Sequence, residues 1–237
     1  YNIIAIDLPG HGYKTGPLFY DVESHTKLCI EVLNELNLKN LILSGHSWGG
    51  LIALDLSTQY ENKMTICMNI AYPFLVGDLL LDYAKGNLDQ CVEFLMKYGI
   101  YKMPETEIKT LGFGVKGSGF YGRSKGVIKS PYGTKTVEDD PEREIKLYPL
   151  KRLFNQTEKE ISSIDLKSCT NFRLKDDQIS NIQNVKYIFC DKDKLARFDA
   201  ENIILKNVNP EEDVFILKET GHFPYFEDPD QLEEVFK

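Results

Sequence analysis

The chain has 237 residues, of which 42% are hydrophobic and 27% charged, so it is long enough to bury a large core and its composition is that of a globular protein. Its formal net charge of −8 disfavours nucleic acid as a partner, because an acidic surface repels phosphate backbones. No apolar run approaches the roughly 18 residues that a membrane-spanning helix needs, so the sequence predicts no membrane segment.

Strand and helix patterns alternate over the first 71 residues. Short β-branched runs are typical of strands buried on both faces, and apolar residues that repeat every three or four positions are typical of helices packed on them. In chain order the patterns predict a strand at 2–7, a helix at 21–38 with Asp21 as its N-cap, a strand at 41–44, a helix at 48–60 and a strand at 64–70. Strands and helices that alternate with short links favour a parallel α/β sheet.

The alternation breaks after residue 71 and resumes near residue 185. Helical patterns over 79–98 and a glycine-rich run lie in between. The later patterns predict a strand at 185–190, a helix at 195–206, a strand at 213–217 and a helix at 228–236. We therefore predict one α/β domain made of residues 1–71 and 185–237, interrupted by an insertion of residues 72–184.

Residues 45–49, Gly-His-Ser-Trp-Gly, match the pattern G-x-S-x-G between a predicted strand and a predicted helix. A sharp turn from strand to helix holds such a serine, here Ser47, in a strained conformation that exposes its hydroxyl. Glycine at positions 45 and 49 is expected to avoid a steric clash in this turn. The helix that follows directs backbone N–H groups and its positive end toward developing negative charge.

A serine hydroxyl becomes an effective nucleophile only with a base and an orienting carboxylate nearby. Asp191 and Asp193 directly follow the first strand predicted after the insertion, and His222 follows the last predicted strand. The order serine, acid, histidine, with each residue in a loop after a strand, suits a serine held at such a turn. These residues predict a site made of Ser47, His222 and one of the two aspartates.

With these motifs the chain resembles the α/β-hydrolase superfamily over nearly its whole length. Residues 7–12 resemble the loop after the family's fourth strand, 45–50 its nucleophile elbow, 191–193 its acid loop and 221–229 its histidine loop. The insertion falls where the family carries its cap, a helical lid. The resemblance implies that Ser47 is the nucleophile, Asp193 the acid and His222 the base. It also implies that the backbone N–H of Trp48 is one oxyanion donor.

The chain departs from the family in two respects. Its acid loop opens with Cys190 where the family usually has glycine, and Asp191 stays a rival to Asp193. The family's first three strands, and the loop that supplies its second oxyanion donor, would precede Tyr1, so the resemblance implies that this sequence is part of a longer protein. Without the third of these strands, the strand predicted at 2–7 would lack a neighbour toward the strand at 41–44.

A Ser-Asp-His site predicts acyl transfer in two steps through an acyl-enzyme, a reaction that needs no cofactor and no metal. Serine at position 47 argues against the epoxide hydrolase and dehalogenase branches that the chain otherwise resembles, because those enzymes form an alkyl ester on a carboxylate. For this scaffold with a cap, the expected substrate is a small molecule with a carboxylic ester.

Two other functions stay open from the sequence. The string Gly-His-Ser-Trp-Gly-Gly also resembles prolyl aminopeptidases, which act on short peptides and whose caps carry acidic residues for the free amine of the substrate. Acidic residues of the insertion that suit this role are Asp78, Asp82, Asp89, Glu93, Glu105 and Glu107. The third function is that of a hydrolase-fold protein that binds a ligand without catalysis, with which an intact Ser-Asp-His set is compatible.

The remaining cysteines, histidines and glycines predict no further site. The five scattered cysteines favour buried free thiols in a reducing compartment and predict a cytoplasmic location. The absence of HExxH and CxxC motifs argues against a zinc site. His25 is interpreted as a helix-surface residue, His11 as structural, and His46 as structural or pocket-lining. The G-x-G-x-x-G match at 112–117 has no strand before it, so we expect a flexible part of the insertion rather than a dinucleotide site.

Overall fold

The structure is a computed structural model that describes residues 2–12, 16–104, 141–154, 157, 160–198, 205 and 208–236. The helices in these ranges are α1 (Val22–Glu35), α2 (Trp48–Ser57), α3 (Asp78–Gly86), α4 (Leu88–Gly99), α5 (Pro141–Phe154), α6 (Ile161–Asn171), α7 (Asp176–Ser180), α8 (Pro210–Asp213), α9 (Pro224–Glu227) and α10 (Pro229–Glu234). The strands are β1 (Ile42–His46), β2 (Met64–Met68), β3 (Val185–Cys190) and β4 (Val214–Leu217).

The four strands form one parallel sheet in the order β1-β2-β3-β4. A row of paired residues crosses the sheet from Gly45 to Cys67, Tyr187 and Val214. Because parallel strands all end on the same side, the loops after β1, β3 and β4 lie along one edge. The predicted parallel α/β arrangement is thus confirmed, and the three loops that carry the candidate site residues share that edge.

Both faces of the sheet are covered by helices. Successive residues of a strand point to opposite faces, so Cys67 and Tyr187 lie in one apolar cluster, and Ile66 and Ile188 lie in another. Buried residues of α1, α2 and α6 complete the first cluster, and α10 packs against the second through Leu232. Burial on both faces explains why these strands are apolar runs rather than alternating sequences.

Two asparagines end elements earlier than the sequence predicts. Asn69 has φ 48°, and this left-handed backbone ends β2 at Met68 rather than at residue 70. Asn37 has the same φ, and α1 ends at Glu35 rather than near residue 38. Asparagine adopts the left-handed region more readily than most residues, because its short side chain can form local hydrogen bonds.

The strand predicted at residues 2–7 is wrong. The structure has no strand there, and the side chains of Ile3 and Ile4 are 90% and 52% exposed. Ile6 and Leu8 nevertheless pack against the first apolar cluster. A strand needs a neighbour to bond its N–H and C=O groups, and no described strand pairs with this segment. An apolar β-branched run is therefore not sufficient to form a strand.

The helix predicted at 195–206 is also wrong over its described start. Residues 195–198 are not helical, and the loop instead turns back so that the backbone N–H groups of Leu195 and Ala196 donate to Asp193 Oδ1 at 2.7 and 2.9 Å. Residues 199–204 and 206 lie outside the described residues. The side chain of Asp193 thus competes with helix formation, because it accepts the N–H groups of the two residues that would begin the helix.

Helices α3 to α7 lie between β2 and β3 in the described part of the chain. The first two correspond to the helical patterns predicted at 79–98. Cys169 of α6 and Phe172, the residue that follows this helix, pack in the same cluster as the sheet residues. The division into one domain and an inserted cap stays a prediction, and the glycine-rich match at 112–117 lies outside the described residues.

The interpretation of His25 as a surface residue is wrong. His25 is 1% exposed and lies on the buried side of α1 with Val22, Thr26 and Cys29. These positions recur every three or four residues, so the helical period itself indicates their common face. The ring remains satisfied because its Nδ1–H donates to the carbonyl oxygen of Asp21 at 2.9 Å.

The five cysteines are buried free thiols, as predicted. Burial raises the pKa of Cys91 to about 11 and that of Cys190 to about 12, so both remain protonated at neutral pH. Within the described ranges, no helix combines the length and the apolar character needed to cross a bilayer.

The N-cap of α1 supports a stability prediction. Asp21 accepts the backbone N–H of Ser24 at 2.7 Å, which satisfies one of the free donors of the first turn. We expect Asp21→Ala to lower the free energy of unfolding by about 1 kcal/mol, since alanine has no acceptor. The matched Asp21→Asn keeps an acceptor and should be close to the native chain. Urea unfolding measures both, and equal losses in the two variants would contradict the capping role.

Candidate active site

Three predicted side chains meet at the carboxyl edge of the sheet. The hydroxyl of Ser47 lies 2.9 Å from His222 Nε2, and His222 Nδ1 lies 2.7 Å from Asp193 Oδ2. Because an ionised carboxylate can only accept, Nδ1 donates to Asp193, and Nε2 is left to accept the hydrogen of Ser47. His222 and Asp193 are buried, whereas Ser47 is partly exposed. The structure therefore brings together residues that are 175 and 29 positions apart in the chain.

The structure distinguishes between the two candidate aspartates. Asp193 Oδ1 accepts the N–H groups of Leu195 and Ala196, which leaves Oδ2 for His222. The carboxylate of Asp191 instead lies 3.6 Å from the ammonium group of Lys192. The two backbone donors thus orient the Asp193 carboxylate so that Oδ2 faces the imidazole of His222.

Ser47 occupies a sharp turn between β1 and α2. Its backbone has φ 53° and ψ −122°, a conformation that residues other than glycine rarely adopt. The strained turn is anchored on both sides, because Ser47 N–H donates to the carbonyl oxygen of Met68 at 2.8 Å and Ser47 O accepts from Gly50 N–H at 2.9 Å. Such strain persists only where the surrounding structure determines it, and it clusters at functional sites.

The glycines around this turn play different roles from those expected. A Cβ on Gly45 would lie 2.0 Å from the carbonyl oxygen of Gly49, so glycine is needed at position 45. A Cβ on Gly49 would meet nothing within 4 Å, so the expected clash at position 49 is wrong. Gly50 is the second tight position, because its Cβ would lie 2.3 Å from Ile70 Cγ2. The sequence pattern alone does not show at which of these positions a side chain would clash.

Trp48 follows Ser47 as the first residue of α2. Its backbone N–H is one of the first four of the helix, which have no acceptor within the helix. Its indole N–H donates to Ser168 Oγ at 2.8 Å, and its ring lies 5.3 Å from the stacked ring of His11 and 4.8 Å from the ring of His25. A side chain held on three sides keeps this backbone N–H in a defined position beside Ser47.

His11 is paired with a carboxylate of α6. Its Nε2 lies 2.9 Å from Asp165 Oδ2. Burial opposes a charge on His11, but the hydrogen bond and negative charge of Asp165 outweigh this effect and raise the pKa of His11. The ring thus links the loop after residue 8, the indole of Trp48 and α6, which agrees with its interpretation as a structural residue.

The backbone of His222 is held by residues that sequence reasoning missed or assigned no precise role. Its carbonyl oxygen accepts from Asn69 Nδ2 at 2.9 Å and from His46 Nε2 at 2.6 Å, and its N–H donates to Gly99 O at 2.6 Å. Burial is the main cause that lowers the pKa of His46 to about 3, so this ring is neutral and Nε2 carries its proton. A polar amide directly after β2 was the one available signal for Asn69.

No group of three or more His, Cys, Asp or Glu side chains that could hold a metal ion occurs among the residues that the structure describes. The Ser47, His222 and Asp193 set is instead suited to moving a proton between a hydroxyl and an imidazole. The expectation that the reaction needs no cofactor stays a prediction.

The family model for the alpha/beta hydrolase family matches residues 1–235. The chain belongs to this family. The fold and the predicted resemblance to this family are thereby confirmed.

Curated relatives match only short stretches. An uncharacterized hydrolase, YugF, from Bacillus subtilis (strain 168) is 41% identical over 61 residues, which are 25% of this chain and 22% of that protein. Bifunctional epoxide hydrolase 2 from Sus scrofa is 26% identical over 78 residues, which are 32% of this chain and 14% of that protein. The matched stretches therefore span less than a quarter of these relatives' lengths.

Solved structures match over almost the whole chain. The enol-lactonase from Burkholderia xenovorans LB400 has a TM-score of 0.66 at 15% identity and covers 97% of this chain and 76% of its own. An esterase from Exiguobacterium antarcticum has a TM-score of 0.62 at 18% identity and covers 97% of this chain and 78% of its own. At such low identity the likeness shows a shared fold.

The tight turn supports a paired stability prediction. We expect Gly45→Ala to lower the free energy of unfolding by about 1–3 kcal/mol, because the new methyl group overlaps the backbone of Gly49. Gly49→Ala, which adds the same methyl group in open space inside α2, should be neutral or stabilising by up to about 1 kcal/mol. Urea unfolding of the two variants tests this contrast, and a loss of stability in Gly49→Ala as large as in Gly45→Ala would contradict it.

His46 supports a pH prediction. Its pKa is about 3 in the folded chain, against about 6.5 in the unfolded chain, so only the unfolded chain takes up this proton between those values. Stability from this group is therefore present above pH 6.5 and is lost as the pH falls, by about 2 kcal/mol at pH 5. His46→Gln keeps a donor for His222 O without titrating. Between pH 7.5 and pH 5, the free energy of unfolding of His46→Gln should therefore fall by about 2 kcal/mol less than that of the native chain. Urea unfolding at several pH values measures this, and an equal fall in both proteins would exclude the effect.

Proposed function

We propose that this protein is a serine hydrolase that cleaves carboxylic esters, with Ser47 as nucleophile, His222 as base and Asp193 as orienting acid. The observation that supports it most is the continuous hydrogen-bonded line from the Ser47 hydroxyl through His222 to the Asp193 carboxylate, at 2.9 and 2.7 Å. The strained turn at Ser47 and the start of α2 beside it add a nucleophile position and nearby backbone donors.

In the proposed reaction, His222 Nε2 takes the proton of Ser47 as Oγ forms a bond to the ester carbonyl carbon. The tetrahedral intermediate then collapses, the bond to the alcohol oxygen breaks, and His222 returns its proton to that oxygen. Water attacks the acyl-enzyme in the same way, gives its proton to His222 and releases the carboxylic acid, after which Ser47 regains its proton. Asp193 remains ionised throughout and stabilises the imidazolium that forms in each step.

The backbone N–H of Trp48 is the proposed donor to the oxyanion of the tetrahedral intermediate. It lies at the positive end of α2 and adjoins the nucleophile, so negative charge develops next to it. One such donor is worth about 10²–10³ in rate where it has been removed in other enzymes.

An ester is the best supported substrate class. Two structural neighbours are an esterase and an enol-lactonase, and a lactone is a cyclic carboxylic ester. Epoxide hydrolysis is less well supported despite the epoxide hydrolase relatives, because Ser47 offers no carboxylate for an alkyl-enzyme ester.

Peptide cleavage gains no specific support. The acidic residues proposed for binding a free amine are exposed on α3 and α4 where they are described: Asp78, Asp82, Asp89 and Glu93. Glu93 pairs with Lys151 at 2.6 Å, which reduces its availability for an amine. Glu105 and Glu107 lie outside the described residues.

The proposed activity can be tested with a fluorophosphonate probe and with chromogenic substrates. We expect the native chain to react with the probe at Ser47 and to hydrolyse short p-nitrophenyl esters, whereas Ser47→Ala should do neither while folding normally. Turnover of proline β-naphthylamide without turnover of esters would favour the peptidase. A folded native protein that neither reacts with the probe nor turns over a substrate would favour ligand binding without catalysis.

The two aspartates give a matched test of the acid. We expect Asp193→Asn to lower kcat for p-nitrophenyl butyrate by about 10³–10⁴, because the amide no longer favours the imidazole tautomer that accepts from Ser47. Asp191→Asn removes the same charge two positions away and should leave kcat unchanged, since its carboxylate faces Lys192. Equal losses in the two variants would assign the effect to net charge rather than to the hydrogen bond.

A further inference from the structure

A buried carboxylate outside the three proposed catalytic residues joins two segments of the chain. Glu227, at the end of α9, is 3% exposed. Its Oε2 accepts the backbone N–H groups of Tyr101 at 2.9 Å, Lys102 at 3.0 Å and Gly221 at 3.0 Å. Its Oε1 accepts the N–H of Phe223 at 3.3 Å. One side chain thus binds the residues on both sides of His222 and the segment that follows α4.

The two segments also touch through their backbones. A Cβ on Gly221 would lie 2.3 Å from Gly99 O and 2.7 Å from Glu227 Oε1, so there is room here only for glycine. A Cβ on Gly99 would lie 2.6 Å from the ring of Phe223. This contact brings Gly99 O to the N–H of His222. The position of the histidine therefore depends on how closely residues 99–102 and 221–223 are held together.

Burial and hydrogen bonding act on Glu227 in opposite directions. Burial is the larger effect and raises the pKa of this carboxyl group above its usual value, while the four backbone N–H groups that donate to it offset part of that rise. Hydrogen bonds from N–H groups to an ionised carboxylate are among the stronger ones in proteins, and a buried acceptor that loses them is costly. Three of the four N–H groups donate to Oε2 and one donates to Oε1. Glu227 can therefore hold all four only while both of its oxygens are acceptors.

We propose that Glu227 is a positioning residue that keeps the imidazole of His222 in line between Asp193 and Ser47. It fixes the main chain at 221 and 223 against the end of α4, while Asn69 and His46 hold the carbonyl oxygen of His222 between them. This inference rests on the proposed function. A displacement of about 1 Å at a reacting group can cost about 10²-fold in rate, so the loss of this link should appear in the chemical step.

Glu227→Gln is the direct test. Glutamine keeps the shape but offers one oxygen, so its NH₂ group must face either Phe223 N–H or the three N–H groups at Oε2, donor against donor. We expect kcat for p-nitrophenyl butyrate and the rate of fluorophosphonate labelling to fall roughly 10- to 100-fold, with KM little changed. Glu219→Gln is the matched control, because Glu219 is an exposed carboxylate that accepts from the same Tyr101 through its hydroxyl, and its rates should not change.

A second measurement does not depend on turnover. The hydrogen that His222 Nδ1 donates to Asp193 should give a low-field proton NMR signal in the native chain and in Glu219→Gln, and Glu227→Gln should shift or broaden it. If the native protein neither labels nor hydrolyses esters, the proposed function fails, and this signal alone decides whether Glu227 positions the ring. Thermal unfolding confirms that the variants compared are folded.

Several results would overturn the inference. They are a folded Glu227→Gln with native labelling and a native NMR signal, a loss seen only in KM, and equal losses in Glu227→Gln and Glu219→Gln. If Glu227→Gln does not fold, Glu227→Asp is measured instead, since it keeps the charge but shortens the reach by one methylene. We expect it to slow labelling and to shift the NMR signal, and native behaviour of the folded Glu227→Asp would equally exclude the positioning role.

Discussion

A side chain at position 45 would come within 2.0 Å of the carbonyl oxygen of Gly49, and the geometry of the candidate site depends on this close approach. Because glycine leaves that space empty, the chain can leave β1 and enter α2 in a single turn. The turn forces Ser47 to φ 53° and places its hydroxyl toward the histidine loop, with the first N–H groups of α2 beside it. The helix and the sheet hold this strain, because both are buried on the faces where they meet.

The edge of the sheet that carries Ser47 also holds several of the buried polar residues that the structure describes. Asp193, His222, Asn69 and Glu227 are all buried, and burying such groups is unfavourable unless they are hydrogen-bonded. Asp193, Asn69 and Glu227 bond to backbone groups of the loops after β3 and β4, and the ring of His222 bonds to Asp193. A network of this kind is expensive to disturb, so it fixes the loops in one arrangement. Rigid placement of an imidazole is what proton transfer between fixed partners requires.

Members of one fold can perform different reactions, because the chemistry resides in a few side chains placed on it. Here the curated relatives include epoxide hydrolases, and the structural neighbours include an esterase and a lactonase. Under the proposed function, the serine at the turn favours an acyl ester, whereas an alkyl ester would need a carboxylate at that position. Ser47 thus carries more information about the proposed reaction than the overall likeness does.

The parallel α/β class, the turn at Ser47 and the position of His222 after a strand could all be predicted from the residues alone, because periodicity and glycine placement are local properties. The sequence also contained the helical periodicity that places His25 on the buried face of α1, although His25 was wrongly interpreted as a surface residue. The folded chain was needed to show that Asp193 rather than Asp191 contacts His222, and to bring Asn69, Gly99 and Glu227 to that histidine. The strand expected at 2–7 failed for the same reason. A strand, like a hydrogen bond between residues 126 positions apart, exists only when a partner distant in the sequence lies beside it.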